Sequence, residues 1–154
     1  MAHNGPPFPI LEKHLAGPYL LSIWADPDVG VGTFYIFLDP AGGKTAPAPS
    51  VVKLSVRPVT ERLPWVEYPA QPGTPLGKAG YVALPHFDQE EKWRIRVAVT
   101  SPAGNAGADA EVMVTPQGPS LAEFFLYLLP FLAVGFLWIR AFLRGRQSSP
   151  PAAS

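Results

Sequence analysis

Seven short stretches of this chain predict β-strands, most of them by an alternation of apolar and polar residues and residues 33–38 by a short run that is apolar on both faces. In the clearest stretch, Trp93, Ile95 and Val97 alternate with Arg94 and Arg96. A period of two places successive side chains on opposite faces, so one face of such a strand is buried and the other meets water. The seven stretches are residues 19–25, 33–38, 51–59, 63–68, 80–84, 92–100 and 108–115.

This number of short antiparallel strands in about 100 residues is typical of a two-sheet sandwich. We therefore predict an all-β, immunoglobulin-like sandwich over residues 17–116, with a small barrel as the alternative. The 20 prolines and 14 glycines favour short strands joined by turns, because proline ends helices and is confined to strand edges. Pro6, Pro7 and Pro9 exclude a helix near the N-terminus and predict an extended arm over residues 1–16.

One stretch near the C-terminus is continuously apolar. Phe124 to Ile139 contains no charged residue, and Arg140, Arg144 and Arg146 follow it directly. About 19 residues at roughly 1.5 Å each span about 28 Å, close to the thickness of the hydrocarbon core of a bilayer. The predicted segments are a linker over residues 117–120, a transmembrane helix over 121–143 and a tail over 144–154.

The arginines after the apolar stretch also predict an orientation. By the positive-inside rule the tail is cytoplasmic and the sandwich lies outside, in the periplasm or at the cell exterior. We expect a single-pass protein of a bacterial inner membrane with a periplasmic sandwich. Residues 1–16 contain no apolar run that would act as an export signal. We expect that the signal was removed or lies upstream, and cleavage after Ala2 would make His3 the N-terminal residue. The alternative is that Met1 is the true start and insertion uses another route.

Composition excludes several classes of function. The formal net charge is +0, so no basic field is available to attract nucleic acid. The absence of cysteine excludes disulfides, cysteine zinc sites and thiol catalysis. No Gly-x-Ser-x-Gly motif and no glycine-rich phosphate loop opening a helix is present. We therefore expect a protein that is not an enzyme and has no bound organic cofactor.

Three segments resemble the FixH/YtkA-like group of bacterial membrane-attached β-sandwich domains. They are Gly17-Pro18-Tyr19 with Trp24, Gly32-Thr33-Phe34, and Phe87-Asp88 followed by Trp93-Arg94-Ile95-Arg96-Val97. The resemblance covers residues 17–115 and implies a sandwich that accompanies respiratory oxidases or takes part in copper handling. Several members of the group are anchored at the N-terminus, whereas the apolar stretch of this chain is C-terminal.

A possible copper site is predicted from His3, His86 and Asp88. In the related CopC-like carriers an N-terminal histidine binds Cu(II) through its amine and its ring, and a processed His3 would be similar. Imidazole nitrogen suits copper, and His86 and Asp88 lie two residues apart on one side of an extended segment. His14 and Met113 are further donors. The alternative interpretation is that the histidines are ordinary surface or capping residues.

Aromatic and aliphatic side chains outside the predicted core are candidate partner contacts. These residues are Phe8, Ile10, Leu11, Trp65, Tyr68, Phe124, Phe131 and Trp138. The alternatives are loop packing onto the sandwich for Trp65 and lipid contact for the helix residues.

The function predicted from these features is that of a non-catalytic accessory or structural subunit. It would belong to a bacterial energy-transducing membrane complex, either a photosynthetic reaction centre with its antenna or a respiratory oxidase. Its partners would be integral membrane subunits and the lipid bilayer, with no nucleic acid. The alternative function is copper delivery to a respiratory oxidase.

Overall fold

A computed structural model describes residues 6–43, 45, 47–116 and 121–145. In this part of the chain two compact units are found, a β-rich unit up to residue 116 and a helix. The β-rich unit contains eleven strands in the described residues: β1 (Phe8–Ala16), β2 (Tyr19–Asp26), β3 (Gly30–Val31), β4 (Thr33–Pro40), β5 (Val51–Pro58), β6 (Val66–Pro69), β7 (Gln71–Gly73), β8 (Gly80–Ala83), β9 (His86–Phe87), β10 (Lys92–Ser101) and β11 (Gly104–Met113). The helix is α1 (Leu121–Gly145).

The strands form two main sheets, and the prediction of an all-β sandwich with one C-terminal apolar helix is confirmed. One sheet has the order β1-β2-β4-β8-β7, the other has the order β11-β10-β5-β6, and β3 and β9 form a small two-stranded sheet. All these pairings are antiparallel. The strand number exceeds the predicted seven by four. Strands β3, β7 and β9 have only two or three residues, too few to show a period, and β1 lies in the predicted arm.

The core lies between the inner faces of the two main sheets. On β10 the residues Trp93, Ile95 and Val97 are buried, as the alternation predicts, and β5 places Leu54 opposite Val97. Ile23 of β2 is also fully buried in the same cluster. Each such side chain stabilises the fold by roughly 1.5–3 kcal/mol relative to an exposed position.

The predicted N-terminal arm belongs to the sandwich from Phe8 onward. Strand β1 pairs with β2 from Phe8 opposite Ala25 to Ala16 opposite Tyr19. Its register shifts before and after Leu11, and the N–H of Lys13, which has a φ of 48°, donates to Ser22 Oγ at 3.0 Å. An edge strand with a bulge accommodates prolines and irregular spacing, so the sequence here shows no clear period.

Helix α1 extends two residues beyond the predicted end at residue 143. A span from Phe124 to Arg144 is long and apolar enough to cross a membrane, and none of it is buried inside the described chain. At about 1.5 Å per residue the 25-residue helix is about 37 Å long. The predicted linker and the last part of the predicted tail lie outside the described residues.

Candidate functional site

His86 and Asp88, the predicted metal ligands, flank a buried phenylalanine at the start of the β9–β10 connection. His86 is exposed on β9, opposite Val31 of β3. Phe87 is fully buried, with its ring centroid 6.0 Å from that of Phe34 and 4.9 Å from that of Trp93. Burial of Phe87 therefore fixes the backbone that carries the two exposed donors.

The carboxylate of Asp88 is held by Arg62. The guanidinium donates from Nη1 to Oδ2 at 2.7 Å and from Nη2 to Oδ1 at 2.5 Å. This bidentate bond lowers the pKa of Asp88, so the side chain is an ionised carboxylate at neutral pH. A metal ion bound at His86 and Asp88 would have to compete with a charge-assisted pair, which makes Asp88 a poor ligand in this conformation.

Arg62 is the centre of a polar cluster that sequence reasoning missed. Its Nε donates to Glu91 Oε1 at 2.7 Å, and Thr60 Oγ1 donates to Glu91 Oε2 at 3.1 Å. Burial alone would raise the pKa of Glu91, but the hydrogen bonds from Arg62 and Thr60 lower it overall. The guanidinium also lies 5.8 Å from the ring centroid of Trp93. The cluster thus ties the loop after β5 to the loop before β10.

The remaining candidate donors are separated in the fold. His14 is exposed on β1, opposite Leu21, and lines a cavity of about 480 Å³ beside the Arg96–Asp109 ion pair. Met113 is at the end of β11, and His3 lies outside the described residues. Among the residues that the structure describes, no three His, Cys, Asp or Glu side chains gather as a metal site. These residues alone do not form a complete copper centre.

Trp65, a predicted partner contact, is half-buried on the outer face of the four-stranded sheet. Its ring centroid lies 5.0 Å from the guanidinium carbon of Arg57 and 4.7 Å from that of Arg96. Arg96 in turn donates two 2.8 Å hydrogen bonds to Asp109. Tyr68 is also half-buried and packs against the core. Both rings therefore make contacts within the sandwich, as the alternative interpretation of loop packing expects, and their role in partner binding stays a prediction.

The other predicted partner contacts divide between β1 and α1. Ile10 and Leu11 are half-buried against the core, so less of their surface is open to a partner than it would be in an extended arm outside the sandwich. Phe8 at the start of β1 is 46% exposed. The helix residues lie at intervals of seven and are all exposed: Phe124, Phe131 and Trp138. Contact of these side chains with a partner stays a prediction.

Comparison with known proteins gives similarity at the level of fold. No protein-family model matches this chain, and no curated protein matches it. Among solved structures, a copper-bound single-residue variant of FetP from uropathogenic Escherichia coli strain F11 is similar with a TM-score of 0.60 and 7% identity, over 75% of this chain and 97% of that chain. The copper-reconstituted P19 protein from Campylobacter jejuni is similar with a TM-score of 0.59 and 9% identity, over 75% of this chain and 100% of that chain.

The TM-scores show that this chain shares the fold of these two proteins. They do not assign a ligand to any residue of this chain.

Proposed function

We propose that this chain is a membrane-anchored, non-catalytic sandwich protein that binds copper as its cargo on the periplasmic side of a bacterial inner membrane. The observation that carries the proposal is the fold: two solved proteins of the same fold, matched over 75% of this chain, contain copper. This favours the copper alternative over the role of a complex subunit, on which the comparisons do not bear.

The candidate copper ligands among the described residues are exposed at the surface. They suit a copper ion that is bound and passed on, and they do not form a buried, permanently occupied copper centre. His14 and His86 are exposed single imidazoles, and imidazole is a good ligand for copper. A site with more than one strong donor needs a contribution from outside the described residues. The sequence offers His3, whose amine and ring would both become ligands if processing made it the N-terminal residue. A surface site of this kind suits transfer of an ion better than permanent retention.

The anchor keeps the sandwich close to acceptors in the same membrane. Helix α1 has the length and apolar surface for one crossing. Arg140 and Arg144 at its C-terminal end favour the cytoplasmic side for that end, so the sandwich is assigned to the opposite side. A tethered donor meets a membrane-bound acceptor at a higher effective concentration than a free donor does.

The test is a Cu(II) titration of the full chain in detergent, after mass spectrometry has established its N-terminal residue. We expect near-stoichiometric binding with a paramagnetic signal from nitrogen-coordinated Cu(II). His3→Ala and His86→Ala should each weaken binding at least about tenfold, the loss expected for one good ligand. Gln71→Ala is the control, since it removes an exposed polar side chain that is not among the candidate copper donors. Absence of binding near stoichiometry in the wild-type chain refutes the copper proposal.

A second candidate is a structural subunit of an energy-transducing complex such as an oxidase or a reaction centre with its antenna. The exposed aromatic residues Phe124, Phe131 and Trp138 along α1 favour it, because they recur at a spacing that keeps them near one side of the helix. After gentle detergent extraction, a native gel should then show the chain in a large assembly. Migration as a free monomer would count against this candidate and would leave the copper test unaffected.

A further inference from the structure

We propose that Arg140 and Arg144 form a binding site for the phosphate of an anionic phospholipid, in the leaflet where α1 leaves the membrane. This inference rests on the membrane anchor of the proposed function and is independent of copper. The C-terminal end of α1 would then bind a specific class of lipid, in addition to setting the orientation of the helix in the membrane.

The two arginines lie on one side of the helix. Residues four apart are one turn apart, with their Cβ atoms about 6 Å from each other. Both side chains are exposed. Together with Phe136, Ile139 and Leu143 they line an open surface groove of about 250 Å³. Phe136 and Ile139 can contact the acyl chain of a lipid while the two guanidinium groups bind its phosphate. Along the helix the apolar residues therefore come first and the cationic residues after them, as the acyl chain and headgroup of a lipid require.

The depth of the arginines matches the phosphate layer. At about 1.5 Å per residue, Arg140 lies about 24 Å and Arg144 about 30 Å along the axis from Phe124. The hydrocarbon core of a bilayer is about 30 Å thick, so with Phe124 at its opposite edge the Cα atom of Arg144 lies at the edge and that of Arg140 about 6 Å inside it. Long arginine side chains extend from such positions to the headgroups. A phosphate at this level is within reach of both residues.

Charge selects an anionic lipid over a neutral one. Guanidinium groups bind phosphate oxygens through two parallel hydrogen bonds, a geometry that lysine cannot reproduce. No acidic residue follows Glu123 in the given sequence, whereas Arg140, Arg144 and Arg146 follow the apolar stretch. Clusters of basic residues next to a membrane helix attract anionic headgroups. In phosphatidylcholine the choline cation offsets the phosphate and weakens this attraction.

The test measures lipid retention by native mass spectrometry on the full chain in detergent, supplied with equal amounts of phosphatidylglycerol and phosphatidylcholine. A basic residue at a membrane surface contributes about a fivefold preference, so two arginines should give about a 25-fold preference for phosphatidylglycerol. Arg140→Gln with Arg144→Gln should lower the ratio about 25-fold relative to the wild-type chain, because only Arg146 then remains as a basic residue after the apolar stretch. The control Lys53→Gln with Lys78→Gln removes the same charge from exposed ion pairs of the sandwich and should keep the wild-type ratio.

Two further measurements separate the possible failures. Flotation with pure phosphatidylcholine vesicles reports the anchor alone: a wild-type chain that does not float refutes the anchor and this site with it. A wild-type chain that floats but shows no lipid preference, or an unchanged ratio in the double arginine variant, overturns only the lipid site. An excess of inorganic phosphate should reduce the bound phosphatidylglycerol only in part, because it lacks the acyl contacts. Complete displacement by phosphate would overturn the lipid as the occupant.

Discussion

Replacement of Phe87 by alanine should destabilise the sandwich more than any change at the exposed residues beside it. The Phe87 ring is fully buried against Phe34 and Trp93. It also lies against Gly32, where an added Cβ would come 2.7 Å from Phe87 Cε2. Loss of a buried phenylalanine ring costs about 3–5 kcal/mol through lost burial and the cavity left behind. This is a large share of the about 5–15 kcal/mol that stabilises a typical domain.

The assay is urea and thermal unfolding of the full chain in mild detergent, followed by tryptophan fluorescence. At about 4 °C per kcal/mol for a domain slightly above 100 residues, Phe87→Ala should lower the Tm by about 12–20 °C. The matched control is Leu84→Ala, since Leu84 is 56% exposed and lies three residues before Phe87. It should change stability by less than about 0.5 kcal/mol. Equal effects of the two substitutions would refute the placement of Phe87 in the core.

Three other substitutions probe the rest of the sandwich. Gly107→Ala presses a Cβ into the backbone oxygen of Val97 on β10 and should destabilise the hairpin in chemical denaturation, whereas Gly73→Ala meets nothing closer than 3.9 Å and should be tolerated. Arg62 lowers the pKa of both its carboxylate partners, so their stabilisation is complete above the unfolded pKa values near ~4 and is lost on acidification. Arg62→Gln should therefore lower the Tm at pH 7 and have little effect at pH 2. Two guanidinium groups adjoin the ring of Trp65, so iodide should quench its fluorescence more strongly than caesium does. The substitution Trp65→Phe should remove this component of the emission.

Each of these tests has an outcome that contradicts it. Equal stability of the two glycine variants would show that β10 and β11 can separate locally without cost. A Tm difference between wild type and Arg62→Gln that is the same at pH 2 and pH 7 would remove the carboxylates from the explanation. Stronger quenching of the Trp65 component by caesium than by iodide would place an acidic surface at that ring.

The strands that the sequence predicted are those with enough residues to show a period. Residues 92–100 and 51–59 alternate clearly and correspond to strands Lys92–Ser101 and Val51–Pro58, in which the alternating apolar side chains from Val52 to Val56 and from Trp93 to Val99 are buried. Strand β1 was predicted only as an extended arm, because its membership of the sheet depends on pairing with β2 and not on its own pattern. Propensity is a weak guide where tertiary pairing decides.

The candidate site shows the same limit. The spacing of His86 and Asp88 predicts that the two side chains lie on one side of an extended segment, and in the structure both are exposed around the buried Phe87. It did not predict Arg62, which is 26 residues from Asp88 in sequence and reaches it through the packing of two loops. No local spacing signals such a contact, so the sequence suggested an available ligand where the fold provides an ion pair.

The position of β1 at the edge of its sheet has a consequence for work with fragments of this chain. A version starting at Gly17 would leave the backbone N–H and C=O groups of β2 without their neighbour and uncover the core beside Ala16. An unpaired edge strand of this kind can pair with a strand of another copy, which leads to domain-swapped dimers or fibrous aggregates. Soluble versions that begin at or before Phe8 retain the pairing of β1 with β2.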